Sequence, residues 1–306
     1  MSNQNIYANT IAEYQSSQLL GRDKLYRIAG TKFVDAIRIL IGYGYAGDYV
    51  ISDSYDIDTF IVKQIRQLFE FVKENSTTET LSKILFNKFI YSDAKILFKS
   101  RLVKTDVSSM LYLESDKMME AFDNQRYDEL SEYMQKAINE LTQNSSAKEI
   151  DLAFENAMHS ENLMLATEIS SNLVQYFRRE IDITNIITAY RFRQAGYNPE
   201  DALPELFEGG EISLDDIISG DYKGTIYDDA YGLLELGNMQ KFRKHTGQII
   251  FDTIKNEFTN FGGYGPFLKY VLYMLSEFRV VRFILICSKN KIPFSLDDLR
   301  SLDDDF

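Results

Sequence analysis

A single cysteine, Cys287, stands in 306 residues, so no intrachain disulfide can form and the chain suits a reducing compartment. Proline is almost as scarce, with 4 residues, and glycine is modest at 16. That composition disfavours a turn-rich β protein and favours long uninterrupted helices. Basic charge is also in short supply: 33 Lys and Arg stand against 46 Asp and Glu, a net charge of −13. A nucleic-acid binder needs a basic footprint to displace counterions, so that class is disfavoured, whereas attraction to basic protein surfaces is favoured. Long apolar runs are missing too. The most apolar stretch, Val280 to Ile286, is interrupted by Arg282 and falls far short of the roughly 20 residues that span a bilayer. The opening Met1-Ser-Asn-Gln-Asn-Ile-Tyr lacks the basic and apolar regions of a signal peptide. The expectation is a chain that does not cross a membrane, though it can sit on a complex that does.

Reactive chemistry is as thin as the composition suggests. His159 and His245 are the only histidines, and neither has a Cys or His companion at the spacing of a zinc site, which takes three or four such ligands. No metal is expected. Cys287 lies in Phe283-Ile-Leu-Ile-Cys-Ser and reads as a small buried residue on an apolar helix face. Gly42-Tyr-Gly44-Tyr-Ala-Gly47 matches the glycine spacing of a dinucleotide-binding turn. That motif requires a strand before it and a helix after it; here a helix-like segment precedes it, so an interhelical loop is expected. No Gly-x-x-x-x-Gly-Lys-Ser/Thr loop is present, so no nucleotide hydrolysis by the chain alone is expected. No catalytic residue, cofactor or cofactor-binding residue is assigned.

What the chain does have is helical periodicity. Ile61, Ile65, Leu68 and Val72 form one apolar stripe, and Leu130, Met134, Ala137 and Leu141 form another. Ser76-Thr-Thr-Glu79 reads as a capping box that starts a helix, and Ser146-Ala-Lys-Glu149 restarts a helix after the break at Asn144-Ser-Ser. Asn172 to Gln194 predicts a long helix stopped by Gly196 and Pro199. Pro266 predicts the opening of another, and that helix or helix pair ends before Pro293. Residues 203–231 predict short helices joined by turns, residues 43–54 a loop or short strand, and Asp297 to Phe306 a frayed or docked tail.

The chain also writes one segment three times, at 89–101, 181–193 and 278–290. Asp93, Asn185 and Arg282 align, as do Lys99, Arg191 and Ser288, at offsets of 92 and 97 residues. A long period means one structural unit used repeatedly. It predicts three units of about 100 residues, each large enough for a small core, with boundaries at 1–108, 109–200 and 201–306. Within the repeats, Glu180 and Arg191, and Glu277 and Arg282, lie in otherwise apolar helices. Buried charges need partners, so an ion pair fixing helix register is the first reading and a partner surface the second. Asp215, Asp216, Asp228 and Asp229 read as a solvated face, with a docking surface for a basic partner as the sharper alternative.

Phe261-Gly-Gly-Tyr-Gly-Pro-Phe-Leu-Lys-Tyr, followed by Glu277-Phe-Arg-Val-Val-Arg282-Phe-Ile-Leu, resembles the C-terminal signature of the C-type subunits of V-type ATPases, whose eukaryotic counterpart is the d-type subunit. Tyr176-Phe-Arg-Arg-Glu180-Ile-Asp182-Ile-Thr-Asn185-Ile looks like a second family segment, and Tyr91-Ser-Asp-Ala-Lys95-Ile-Leu-Phe-Lys99 like a third, with Asp93 where the family usually has Asn. Tyr7-Ala-Asn-Thr-Ile-Ala-Glu-Tyr and Leu19-Leu-Gly-Arg also fit. The resemblance implies an all-α protein of three similar helical domains in a pseudo-threefold funnel. It implies a non-catalytic rotor subunit, one copy in a hetero-oligomer, at the cytoplasmic face of the membrane. There it would link the D and F shaft subunits to the membrane proteolipid ring and pass torque for proton or sodium transport. A generic helical scaffold is the alternative, though solenoids repeat every 20 to 50 residues. A small-molecule enzyme using the Gly42–Gly47 loop is the other.

Overall fold

Serine decides where several helices begin. In the computed structural model, which describes residues 3–45, 57–105, 107, 110–113, 115–260 and 263–294, all regular structure among those residues is helical. The N-terminal helices are α1 (Asn3–Ser16), α2 (Gly21–Ala29), α3 (Phe33–Gly42) and α4 (Ile57–Asn75). The predicted stripe Ile61, Ile65, Leu68 and Val72 lies on α4, and all four are buried.

The long helix α5 (Glu79–Val103) follows, then α6 (Asp116–Asp123), α7 (Glu132–Glu140), α8 (Ala147–Thr167) and α9 (Ser171–Gln194). Ser115, Ser131, Ser146 and Ser170 cap α6 to α9, each side chain accepting from an N–H of the first turn. The helix restart expected at Ser146 is there, and Ser146 and Glu149 close it with a reciprocal capping box. The box predicted at Ser76 does not form. Ser76 turns its hydroxyl to the Thr78 carbonyl, and α5 starts at Glu79 itself. The remaining helices are α10 (Leu214–Ser219), α11 (Asp228–Glu235), α12 (Met239–Ile254) and α13 (Gly265–Asn290), with short 3-10 turns at Tyr127–Glu129, Pro199–Glu205 and Glu257–Thr259. Residues 203–231 therefore hold short helices and turns, as predicted. Gly196, with φ of +78°, follows α9, and Pro266 sits in the first turn of α13.

The chain divides into two units. One draws on residues 1–79 and 255–306, and the other spans 80–254. In the first, α13 is the common element: it packs on α1, α2, α3 and α4. Sixteen of its 26 residues are buried, which marks it as a core helix and not an amphipathic surface helix. Cys287 is among them, and burial pushes its thiol up.

The second unit holds two separate apolar clusters. One joins Tyr91, Ala94 and Leu97 of α5 to Leu111, Phe122, Met134, Ile150 and Phe154. The other joins Ile186 and Ala189 of α9 to Ala202, Ile217, Tyr227, Leu234 and Phe242. Each repeated helix in this unit thus contributes to the core built with the residues that follow it. The third repeated helix, α13, is the last one described, and it packs on the N-terminal helices of its own unit. No helix among the described residues is long and apolar enough to cross a membrane.

Candidate functional site: polar clasps on the three long helices

A helix satisfies its own backbone, but the segments that approach it do not. The three repeated helices meet that demand with buried polar side chains. On α5, Asp93 is 2% exposed, and its carboxylate accepts from the N–H groups of Tyr112 at 2.6 Å and Leu113 at 2.8 Å. On α9, Asn185 is 1% exposed; its amide donates to the Phe207 carbonyl at 2.8 Å and accepts from the Phe207 N–H at 2.9 Å. On α13, the buried Glu277 accepts from the Leu20 N–H at 2.7 Å and from the Tyr45 hydroxyl.

The sequence alignment sets Arg282 beside Asp93 and Asn185. The structure gives Arg282 other work: it is exposed and pairs with Asp58 of α4 at 2.7 Å. The clasp on α13 is Glu277, five positions earlier. Glu180 is half-buried and accepts from the Tyr176 hydroxyl at 3.0 Å, one turn back on its own helix. Arg191 is exposed. Lys99 reaches Asp151 of α8 at 2.7 Å, and Lys95 bonds Glu155 at 2.9 Å. These half-exposed pairs tie α5 to α8, at roughly 0.2–1 kcal/mol each.

A fourth clasp went unselected in the sequence. Asp182, fully buried one turn before Asn185, accepts from the N–H groups of Glu211 at 3.1 Å and Ile212 at 3.2 Å, and from the Tyr227 hydroxyl at 3.2 Å. Gly210 makes room for it, because a Cβ there would stand 2.1 Å from an Asp182 carboxylate oxygen. Burial pushes the Asp182 carboxyl up to about 6, against the pull of its three donors. The Tyr227 hydroxyl is pushed well above the phenol range by burial and then by the Asp182 charge, so it stays a donor. The one available signal was an acid set between isoleucines, Ile181-Asp182-Ile183.

The raised value fixes the sign of a pH effect. Unfolded, an aspartate loses its proton near pH 4; folded, Asp182 holds it to about pH 6. Its stabilisation is full below pH 4 and falls as pH rises through 6, by an amount on the order of 2–3 kcal/mol. The stability of the wild type relative to Asp182→Asn, from urea unfolding, should therefore decline between pH 4 and 7. A flat or rising difference would contradict the assignment.

Glu161 is a further buried acid with several partners. Its side chain is 2% exposed and bonds Lys83 at 2.6 Å, the Tyr91 hydroxyl at 2.7 Å and the Ser131 hydroxyl at 3.2 Å. Ser131 also caps α7, so this network reaches the start of another helix.

Asp215, Asp216, Asp228 and Asp229 are exposed and stand in the first turns of α10 and α11. Negative charge there suits the helix dipole. Asp216 also accepts from Ser213 at 2.6 Å, and Asp228 from the Gly224 N–H at 3.0 Å. Helix starts thus account for where these acids fall while leaving their outer faces in water.

The His159 ring lies tilted against Phe207 with ring centres 4.7 Å apart, and burial lowers its pKa to about 4, so it is neutral at physiological pH. Among the described residues no group of three or more His, Cys, Asp and Glu side chains is placed to hold a metal. Gly42 ends α3 and Gly44 has a φ of +94°. The rest of that loop from residue 46, Phe261-Gly262 of the signature and the acidic tail from residue 295 lie outside the described residues.

The family model described as ATP synthase (C/AC39) subunit matches residues 8–295. No curated protein gives a significant match to the chain.

Proposed function

The chain belongs to the V-type ATP synthase C/AC39 subunit family, and from that membership we propose that it is a non-catalytic rotor subunit that passes torque between the central shaft and the membrane ring. Membership makes it a subunit of a V-type ATPase complex. The finer reading is a socket at the cytoplasmic face, with the D and F shaft subunits on one side and the proteolipid ring on the other.

The observation that carries this reading is where the chain spends its buried polar groups. Asp93, Asp182, Asn185 and Glu277 each hold the backbone of an approaching segment against a long helix. A part that transmits torque must resist shear between its elements, and satisfied buried networks on packed helices supply that stiffness. The threefold period supports the same reading: each repeated helix lies in a core, α5 and α9 with residues that follow them and α13 with the N-terminal helices of its unit. The copies differ where they align, as Asp93, Asn185 and Arg282 show, which suits a part that meets dissimilar neighbours.

The decisive test is fractionation. The protein should pellet with membranes that carry the assembled ring and be released by alkali or chaotropic salt, and crosslinking should join it to shaft and ring subunits. Recovery as a free protein from cells holding the assembled complex would overturn the rotor reading. Neutralising Asp215, Asp216, Asp228 and Asp229 together should weaken shaft binding roughly tenfold at low ionic strength and far less at physiological salt, where the Debye length is about 8 Å. Unchanged salt dependence would remove that face from the shaft interface.

A further inference from the structure

In a chain with a net charge of −13, one groove is lined by lysine. It lies in the first unit, between the turn from α2 to α3 and the C-terminal end of α13, with a volume of about 790 Å³. Lys32, Lys289 and Lys291 stand among its walls, and Phe33, Val34 and Ile292 supply apolar surface. Val34 is 39% and Ile292 50% exposed. Ser288 closes one side by donating to the Thr31 carbonyl at 3.1 Å, and the Lys289 ammonium lies 5.7 Å from the centre of the Phe33 ring.

Two local features sharpen the picture. Lys291 caps α13 with a φ of +56°, in the left-handed region where glycine or asparagine is the usual choice. At the opposite wall Lys32 is the N-cap of α3, and its side chain makes no capping hydrogen bond. No carboxylate stands among the described lining residues.

We propose that this groove docks an acidic, leucine-bearing segment of a partner polypeptide. Charge complementarity selects an acidic occupant, and the apolar walls select one with side chains to insert, a combination met by a polypeptide better than by headgroups alone. The inference concerns a different surface and partner charge from the rotor reading and stands or falls apart from it.

The probe is a fluorescein-labelled ten-residue peptide of alternating Asp and Leu, titrated by anisotropy into the full chain and into Lys32→Ala/Lys291→Gly. The second substitution suits the left-handed backbone, so the variant should melt no lower than the wild type. Saturable binding by the wild type, weakened by salt and at least tenfold weaker in the variant, is the expected result. Equal binding by the two proteins would overturn the proposal, as would no binding by the wild type. Binding that appears only after residues 295–306 are removed would assign the groove to the chain's own acidic tail. Binding to phosphatidylserine vesicles without binding the peptide would assign it to a membrane surface. Either outcome would overturn the partner assignment.

Discussion

Glu161→Ala is expected to destabilise the protein by about 3–5 kcal/mol, the range for breaking a buried ion pair by removing one partner. The carboxylate is nearly sealed from water, and its oxygens take hydrogen bonds from Lys83, Tyr91 and Ser131. Removing it strands the hydroxyl of Tyr91, a residue 1% exposed, with the Ser131 oxygen at 3.4 Å as its remaining contact. The Tyr91 phenol is pushed far above its usual range, first by burial and then by the Glu161 charge, so it cannot relieve the loss by ionising. Lys83 is 33% exposed and recovers part of its hydration by swinging outward, which places the expected value nearer the lower end. Glu161→Gln keeps the shape but loses the charge, and should cost about 1–3 kcal/mol. The double variant Glu161→Leu/Lys83→Met removes both charges and should recover a large part of the loss. Urea unfolding of the three variants measures this. A Glu161→Ala protein within about 1 kcal/mol of wild type would show that the network carries little of the stability of this unit.

Much of this architecture could be read from patterns with a local cause. Helix periodicity found the α4 stripe because burial recurs every three or four residues, and Ser146 with Glu149 announced α8 because capping is settled within four residues. The Ser76 box failed for the complementary reason: Ser76 found a nearer partner in Thr78, so a hydroxyl at the right spacing was spent inside the turn. The repeated segment holds Asp93 and Asn185, whose buried carboxylate and amide do equivalent work. It aligns Arg282 with them, but a position-by-position alignment assumes that the captured loop arrives at the same height on each helix. On α13 the loop arrives at Leu20, beside Glu277. Asp182, Glu161 and Tyr91 stayed hidden because their partners lie 29 to 78 residues away, a separation no local window spans. The lysine groove was equally illegible, since it joins residues 29–34 to residues 287–294.

Gly265→Ala should cost about 3 kcal/mol, the upper part of the range for inserting a methyl group where the core cannot yield. A Cβ at this position would lie 2.1 Å from the Glu257 carbonyl oxygen, 2.8 Å from the Asn260 nitrogen and 3.0 Å from the Asn260 oxygen. All three are backbone atoms, held in the 3-10 turn and by the Gly265 N–H bond to the Asn260 carbonyl at 3.2 Å. No side-chain rotation relieves the clash, so α13 and the turn must part. The start of α13 is pinned on a second side, where Asn9 accepts from the Phe267 N–H at 3.3 Å and donates to the Gly263 carbonyl at 3.0 Å. Movement at Gly265 therefore strains contacts between α1 and α13, the helix around which this unit is built. Gly263→Ala is the matched control. Its Cβ would meet the Asn260 side-chain amide nitrogen at 2.9 Å, a group that can rotate away, and the cost should stay near 1 kcal/mol. The pair distinguishes backbone contact from general intolerance of the glycine-rich signature. Equal losses for the two variants in urea unfolding would refute the steric account, whereas a loss confined to Gly265 identifies the close helix–turn approach as the reason glycine stands there.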